Sequence, residues 1–182
     1  GSVDIFALGS EQMIAQIVLA PVPSGRGEPI PARINRIDRL NGKTLIISMG
    51  ADNYRNVWLE ENGKLEQIID ETKKLLIREA HFVDDNRIRC GTFDADVILY
   101  HISAGYKASE HANSQSTLCN IALSSDSKKM VTADEIGAIK LYDVEGAAVE
   151  GEFASENVDK VYSVAYRNGV VVTGGEDRRV GV

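Results

Sequence analysis

The chain has 182 residues, a formal net charge of −7, 43% apolar residues and 26% charged residues. That is the composition of an ordinary globular protein with enough material for a real core, and its acidic balance argues against a general binder of nucleic acid or anionic membrane, which needs a basic surface. No apolar run approaches the roughly 20 residues of a membrane-spanning helix; the longest, 14–22, is broken by Gln16 and Pro21.

Gly1-Ser2 reads as an expression scar, which places the native N-terminus, with any signal peptide, upstream. Residues 3–19 read as the last two strands of a sheet. "MIAQIVLA" alone also fits a helix, but Gly9 before it and the prolines after it favour a strand. Residues 20–32 read as a Pro/Gly-rich loop. The stretch 24–43 holds five basic and two acidic residues, locally +3 in a chain of −7. Two readings of it stand: a contact for an acidic partner through Arg26, Arg33, Arg36 and Arg39, or a linker followed by a strand with an arginine face.

From residue 33 the sequence repeats one phrase. "DDNRIRCGTFDADVILYHISAG" (84–105) and "SDSKKMVTADEIGAIKLYDVEG" (125–146) are the clearest copies; 40–63 and 167–182 are the others. Each begins with a turn signal: Asn41-Gly42, Asp85-Asn86, Asp126-Ser127 and Asn168-Gly169. A short β-rich run follows, then a polar turn with Gly or Asp, then a second alternating run. Asn-Gly between two such runs marks a hairpin, because both turn positions need positive φ. Trp58, Leu99, Leu141 and Val182 hold equivalent places at intervals of 41, 42 and 41 residues. A period near 40–45 with four strands per repeat is that of a β-propeller blade. The predicted blades are 33–72, 73–114, 115–157 and a truncated 158–182, with 3–19 as the end of an earlier one. Their first, inner strands fall at 34–40, 77–83, 118–123 and 161–166. In the last, Val161, Ser163 and Ala165 alternate with Tyr162, Val164 and Tyr166, which predicts burial on both faces.

These phrases resemble the WD40 propellers. Tyr142-Asp143 stands where that family has Trp-Asp, and Tyr100-His101 is a looser match. Gly91 with Asp94, and Gly174 with Asp177, match its glycine and turn aspartate. The usual Gly-His before the inner strand is absent. The resemblance implies an all-β, incomplete WD40-like β-propeller of about four blades of four antiparallel strands, acting as a non-catalytic protein-interaction module without a cofactor. Val180–Val182 is then the third strand of a blade lacking its fourth, and ring closure through the N-terminal strands fails by one strand. Open blade faces are expected to drive self-association. Residues 157–182 together with 130–146 are similar, more narrowly, to the propeller-type accessory protein encoded with bacterial periplasmic nitrate reductases. That similarity implies a periplasmic protein assisting maturation of, or electron delivery to, the reductase, with reductase subunits as partners. The alternative is a cytoplasmic WD40-type scaffold or regulatory domain for an unrelated protein or peptide.

In the propeller reading, turns between second and third strands share one rim with the blade-to-blade connections. That rim gathers Tyr54, Arg55, Phe93, Glu135, Glu176 and Arg178 as candidate partner contacts. It also gathers Asp52, Asn53, Asp94, Asp134 and Asp177, for which shaping tight turns is the competing role. Tyr54 and Phe93 have no turn chemistry to perform, so contact with a partner is a live reading for them. Enzymatic activity is not expected. His81, His101 and His111 lie in different strands, Cys90 and Cys119 lack metal-type spacing, and Gly174-Gly175 precedes a strand instead of a phosphate-binding helix.

Overall fold

A computed structural model describes residues 1–7, 12–24, 27–49, 55–69, 76–104, 106–112, 116–145, 149–154 and 159–182. Every regular element among them is a strand, and the chain forms two compact units, Gly1–Leu75 and Leu76–Val182. Among the described residues no helix is long and apolar enough to cross a membrane.

In the first unit, β1 (Ser2–Phe6) and β2 (Met13–Val18) form an antiparallel pair, as the strand reading of "MIAQIVLA" requires. Pairing sets Val3 opposite Ile17, and both are buried. Ser2 pairs with Val18, and Leu19 N–H donates to Gly1 O at 2.9 Å. The predicted loop at 20–32 is corrected: β3 (Val22–Ser24) and β4 (Gly27–Ile30) pair there, with Val22 opposite Ile30. A two-stranded ribbon has an open edge on each strand, so Pro23 and Pro29 need not donate to a neighbour. A four-stranded sheet follows in the order β5 (Arg33–Leu40), β6 (Lys43–Met49), β7 (Arg55–Glu61), β8 (Lys64–Ile69). Asn41-Gly42 and Asn62-Gly63 have φ of 47°, 86°, 54° and 80°, the conformations their two-residue hairpins need. One face of this sheet supplies Ile46, Ile34 and Trp58 to a core with Val3, Ile17 and Leu19. Each fully buried side chain of this kind contributes about 1.5–3 kcal/mol. Within the sheet, Trp58 Nε1–H donates to Ser48 Oγ at 2.9 Å.

The second unit holds three sheets of the same plan. They are β9 (Ile77–Phe82) to β12 (Tyr106–Ala112), β13 (Leu118–Leu123) to β16 (Val149–Ala154), and the three-stranded β17 (Val161–Arg167), β18 (Val170–Gly175), β19 (Val180–Gly181). The middle strands are β10 (Arg87–Thr92) with β11 (Asp96–His101), and β14 (Lys129–Asp134) with β15 (Ala138–Asp143). First strands β9, β13 and β17 neighbour one another in turn. Facing sheets interleave: Val83, Val97 and Leu99 meet Leu118, Met130 and Tyr142, while Val131, Ala133 and Ile139 meet Val161 and Val164. Tyr142, in the place of the WD40 tryptophan, is fully buried, and burial pushes its phenol up to about 12, with Thr132 pulling the other way.

Expected burial of β17 on both faces is also corrected. Val161 and Val164 are buried, but Tyr162, Ser163 and Ala165 are exposed. Val161 pairs with Gly175 and Ser163 with Gly174, which leaves Tyr162 as an extra residue in a bulge. An inserted residue shifts the two-residue alternation, so residues three apart share a face.

A candidate partner-binding rim

The three blades of the second unit repeat one hydrogen bond at one end. Phe93 N–H donates to Leu76 O at 2.9 Å, Glu135 N–H to Thr117 O at 3.0 Å, and Glu176 N–H to Lys160 O at 2.9 Å. Each ties the start of a second-to-third-strand turn to the residue preceding its own inner strand. The turns and the residues that lead into the inner strands therefore share one end of the blades, and Phe93, Glu135, Glu176 and Arg178 stand at that end.

The rim's chemistry comes from bulges. In β9, Glu79 faces Gly91 and Ile77 faces Thr92, so Arg78 is the extra residue. Cys119 is extra in β13 and Tyr162 in β17. A bulge bends its strand and re-aims a side chain. Arg78 lies with its guanidinium carbon 5.2 Å from the Phe93 ring centroid, within cation–π range. Its Nη1 is 3.9 Å from Glu135 Oε1, and Lys160 Nζ approaches the same oxygen at 3.6 Å. Tyr162 is half exposed. Its phenol is held above its usual value by desolvation first and then by the Glu176 carboxylate. Beneath them Cys119 is buried; burial raises its thiol, Arg78 opposes the shift, and Glu135 and Asp134 add to it.

The turn aspartates shape turns. Asp134 Oδ1 accepts from Ile136 N–H at 3.0 Å and Ala138 N–H at 2.8 Å, and is almost fully buried. In the preceding blade Thr92 Oγ1 takes that place, accepting from Asp96 N–H at 3.0 Å, while Asp94 is exposed. Asp177 Oδ1 accepts from Arg179 N–H at 3.0 Å. Arg178, at φ 63°, is the turn's left-handed residue, and its exposed side chain points away from the core.

In the first unit the arginines separate. Arg33 stands opposite Met49 and Arg36 opposite Ile47, so a bulge at Asn35 leaves both on one face; Arg39 stands opposite Thr44, on the other. Arg39 Nη1–H donates to Thr44 Oγ1 at 2.9 Å. With the Asn35 amide oriented to satisfy both of its groups, it donates to Arg33 O at 3.1 Å and accepts from Arg55 Nη1–H at 2.8 Å. Here the bulged residue reaches the third strand of its own blade. Arg26 and Tyr54, with Asp52 and Asn53, lie outside the described residues.

Sequence reasoning missed Arg78, Lys160, Tyr162 and the exposed Ile136. Aligning the inner strands puts Asn35, Arg78, Cys119 and Tyr162 in one column, but those four residue types share no chemistry that singles the column out. Among the described residues no group of three His, Cys, Asp or Glu side chains is arranged to hold a metal ion.

No protein-family model matches the chain, and neither does any curated protein. Among solved structures it is similar to the WD40 β-propeller domain of Doa1, at 16% identity and a TM-score of 0.71, covering 98% of this chain and 56% of that one. The chain thus spans little more than half the length of that structure. At this identity the likeness shows the fold, all-β blades of the WD40 propeller type. With 1138 solved chains matching, the fold by itself does not select a function.

Proposed function

We propose that the chain is a non-catalytic protein-interaction module that binds its partner through the turn rim of the second unit. One observation carries this reading: bulges in successive inner strands aim Arg78 and Tyr162 at the turn residues Phe93, Glu135 and Glu176. Aromatic and arginine side chains that are ordered yet accessible are what interface hot spots use. The blade core beneath supplies the rigidity. A photo-cross-linking residue placed at Ile136, 59% exposed on the rim, is expected to capture a partner, whereas the same residue at Ser125, in a turn at the blade's other end, is not. Equal capture at both positions refutes the rim as the binding face.

The finer reading is an accessory factor of periplasmic nitrate reductase, serving its maturation or electron supply from the periplasm. It rests on the similarity of residues 157–182 and 130–146 to that accessory family. Affinity capture with the full-length protein from nitrate-grown cells tests it. Enrichment of reductase subunits or their electron donors supports it; recovery of cytoplasmic proteins with the reductase absent discards it and leaves the interaction module.

A further inference from the structure

We propose that the Arg78–Glu135–Lys160 cluster is a docking site for one carboxylate side chain of the partner, with Glu135 holding the place until the partner arrives. This rests on the interaction-module reading and names the chemistry its rim selects.

A charge-assisted N–H···O bond closes to about 2.7–2.9 Å. Arg78 stands 3.9 Å and Lys160 3.6 Å from Glu135, both at the same oxygen. Two cations therefore share one oxygen of one carboxylate, and neither is within bonding distance of it. The Arg78 guanidinium carbon lies 5.2 Å from the Phe93 ring centroid, a contact that restrains it, and the guanidinium fork suits a planar anion. Two cations and one carboxylate leave a single positive charge, which matches a monoanionic carboxylate and disfavours a phosphate dianion.

Exposed Asp94, next to Phe93, and Asp159, next to Lys160, add negative charge around the cluster, so the match is local to the Arg78 fork and the Lys160 ammonium. Asp134 is buried, and its Oδ1 is committed to two backbone N–H groups. Glu176 and Asp177 share their turn with Arg178 and Arg179, so that turn is neutral. Side chains of Arg78, Glu135 and Lys160 are 23%, 34% and 43% exposed, which lets a partner reach them while water is partly excluded. Ile136 and Tyr162 are exposed alongside and give the site an apolar shoulder. The partner segment it fits carries an acidic residue next to an apolar one.

The test titrates isotope-labelled protein with three blocked peptides, Gly-Glu-Leu-Gly, its Gln counterpart and its phosphoserine counterpart, followed by amide and arginine side-chain NMR shifts. The Glu peptide is expected to bind about tenfold tighter than the Gln peptide, and Arg78→Gln to weaken it by about tenfold. Lys160→Gln, which keeps the backbone carbonyl that accepts from Glu176 N–H, is expected to weaken it about threefold. Glu135→Gln is expected to tighten it severalfold, because the internal competitor is neutralised. A residue with only a structural role would not produce that reversal of sign. Equal binding of the Gln and Glu peptides, weakening by Glu135→Gln, or tighter binding of the phosphoserine peptide each overturns the proposal. If a partner still cross-links at position 136 equally well to Arg78→Gln, the carboxylate site falls and the interaction module stands. If the peptides behave as expected but no partner cross-links there, the site stands and the module reading falls.

Discussion

Asp134 decides whether the turn aspartates are structural, and its truncation has a calculable cost. The side chain is 2% exposed, and Oδ1 accepts two backbone N–H bonds at 3.0 and 2.8 Å. Asp134→Ala strips both donors of their acceptor. Hydrogen bonds to a charged group contribute about 1.5–3 kcal/mol each. Ile136 is exposed and Ala138 partly so, so water recovers some of that loss, and about 3 kcal/mol is expected to remain. For a chain of this size that lowers Tm by about 6–12 °C. Asp134→Asn keeps an oxygen in the same place and is expected to cost about 1 kcal/mol. Asp177→Ala, which loses one bond on a more exposed turn, is expected to cost 1 kcal/mol or so. Thermal and urea unfolding followed by circular dichroism measure all three. An Ala variant within about 0.5 kcal/mol of the parent, the usual range for inert surface changes, refutes the turn-closing role. So does an Asn variant as damaged as the Ala one, because charge and not acceptor geometry would then be responsible.

Trp58→Phe removes the Nε1–Ser48 bond and is expected to destabilise the first unit by about 1 kcal/mol; urea unfolding by circular dichroism reads it, since Trp58 is the single tryptophan. Acid unfolding has a signature at Asp84. Burial works to raise its carboxyl, but bonds from Asn86 N–H and the Arg87 backbone and side chain outweigh it and hold the value below the usual 3.8. The Arg87 side chain donates from Nε at 2.7 Å and also pairs with Glu145 at 2.6 Å. A depressed folded value means that this stabilisation is present above the unfolded value and lost as pH falls through the folded one. Asp84→Asn is thus expected to flatten the stability profile below about pH 4; an unchanged acid limb refutes it. Cys90 is fully buried, and burial pushes its thiol up to about 12 against the opposing charge of Arg89. Neither Cys90 nor the buried Cys119 is expected to react with a maleimide at pH 7.5 until denaturant opens the sheets; fast native-state labelling of Cys90 refutes this.

Much of the fold was legible in the residues because its signals are local. The repeat of 41–42 residues, Asn-Gly turns at 41–42 and 168–169, and the alternating run at 138–143 each report a conformation that neighbouring residues decide for themselves. The rim was half legible: turn chemistry placed Phe93, Glu135, Glu176 and Arg178 at one end of the blades. Turn signals failed at 22–30, where proline punctuation read as loop and a ribbon tolerated it.

The sequence by itself determined the strand order and the blade period, since these follow from turn signals with their own φ preferences and from their regular spacing. Tertiary structure alone decided the bulges at Arg78, Cys119 and Tyr162. A bulge is a mismatch between two strands, and no single strand records which of its residues lacks a partner. From that mismatch follow the placement of Arg78 over Phe93, the sharing of Glu135 with Lys160, and the exposure of a tyrosine that alternation had assigned to the core.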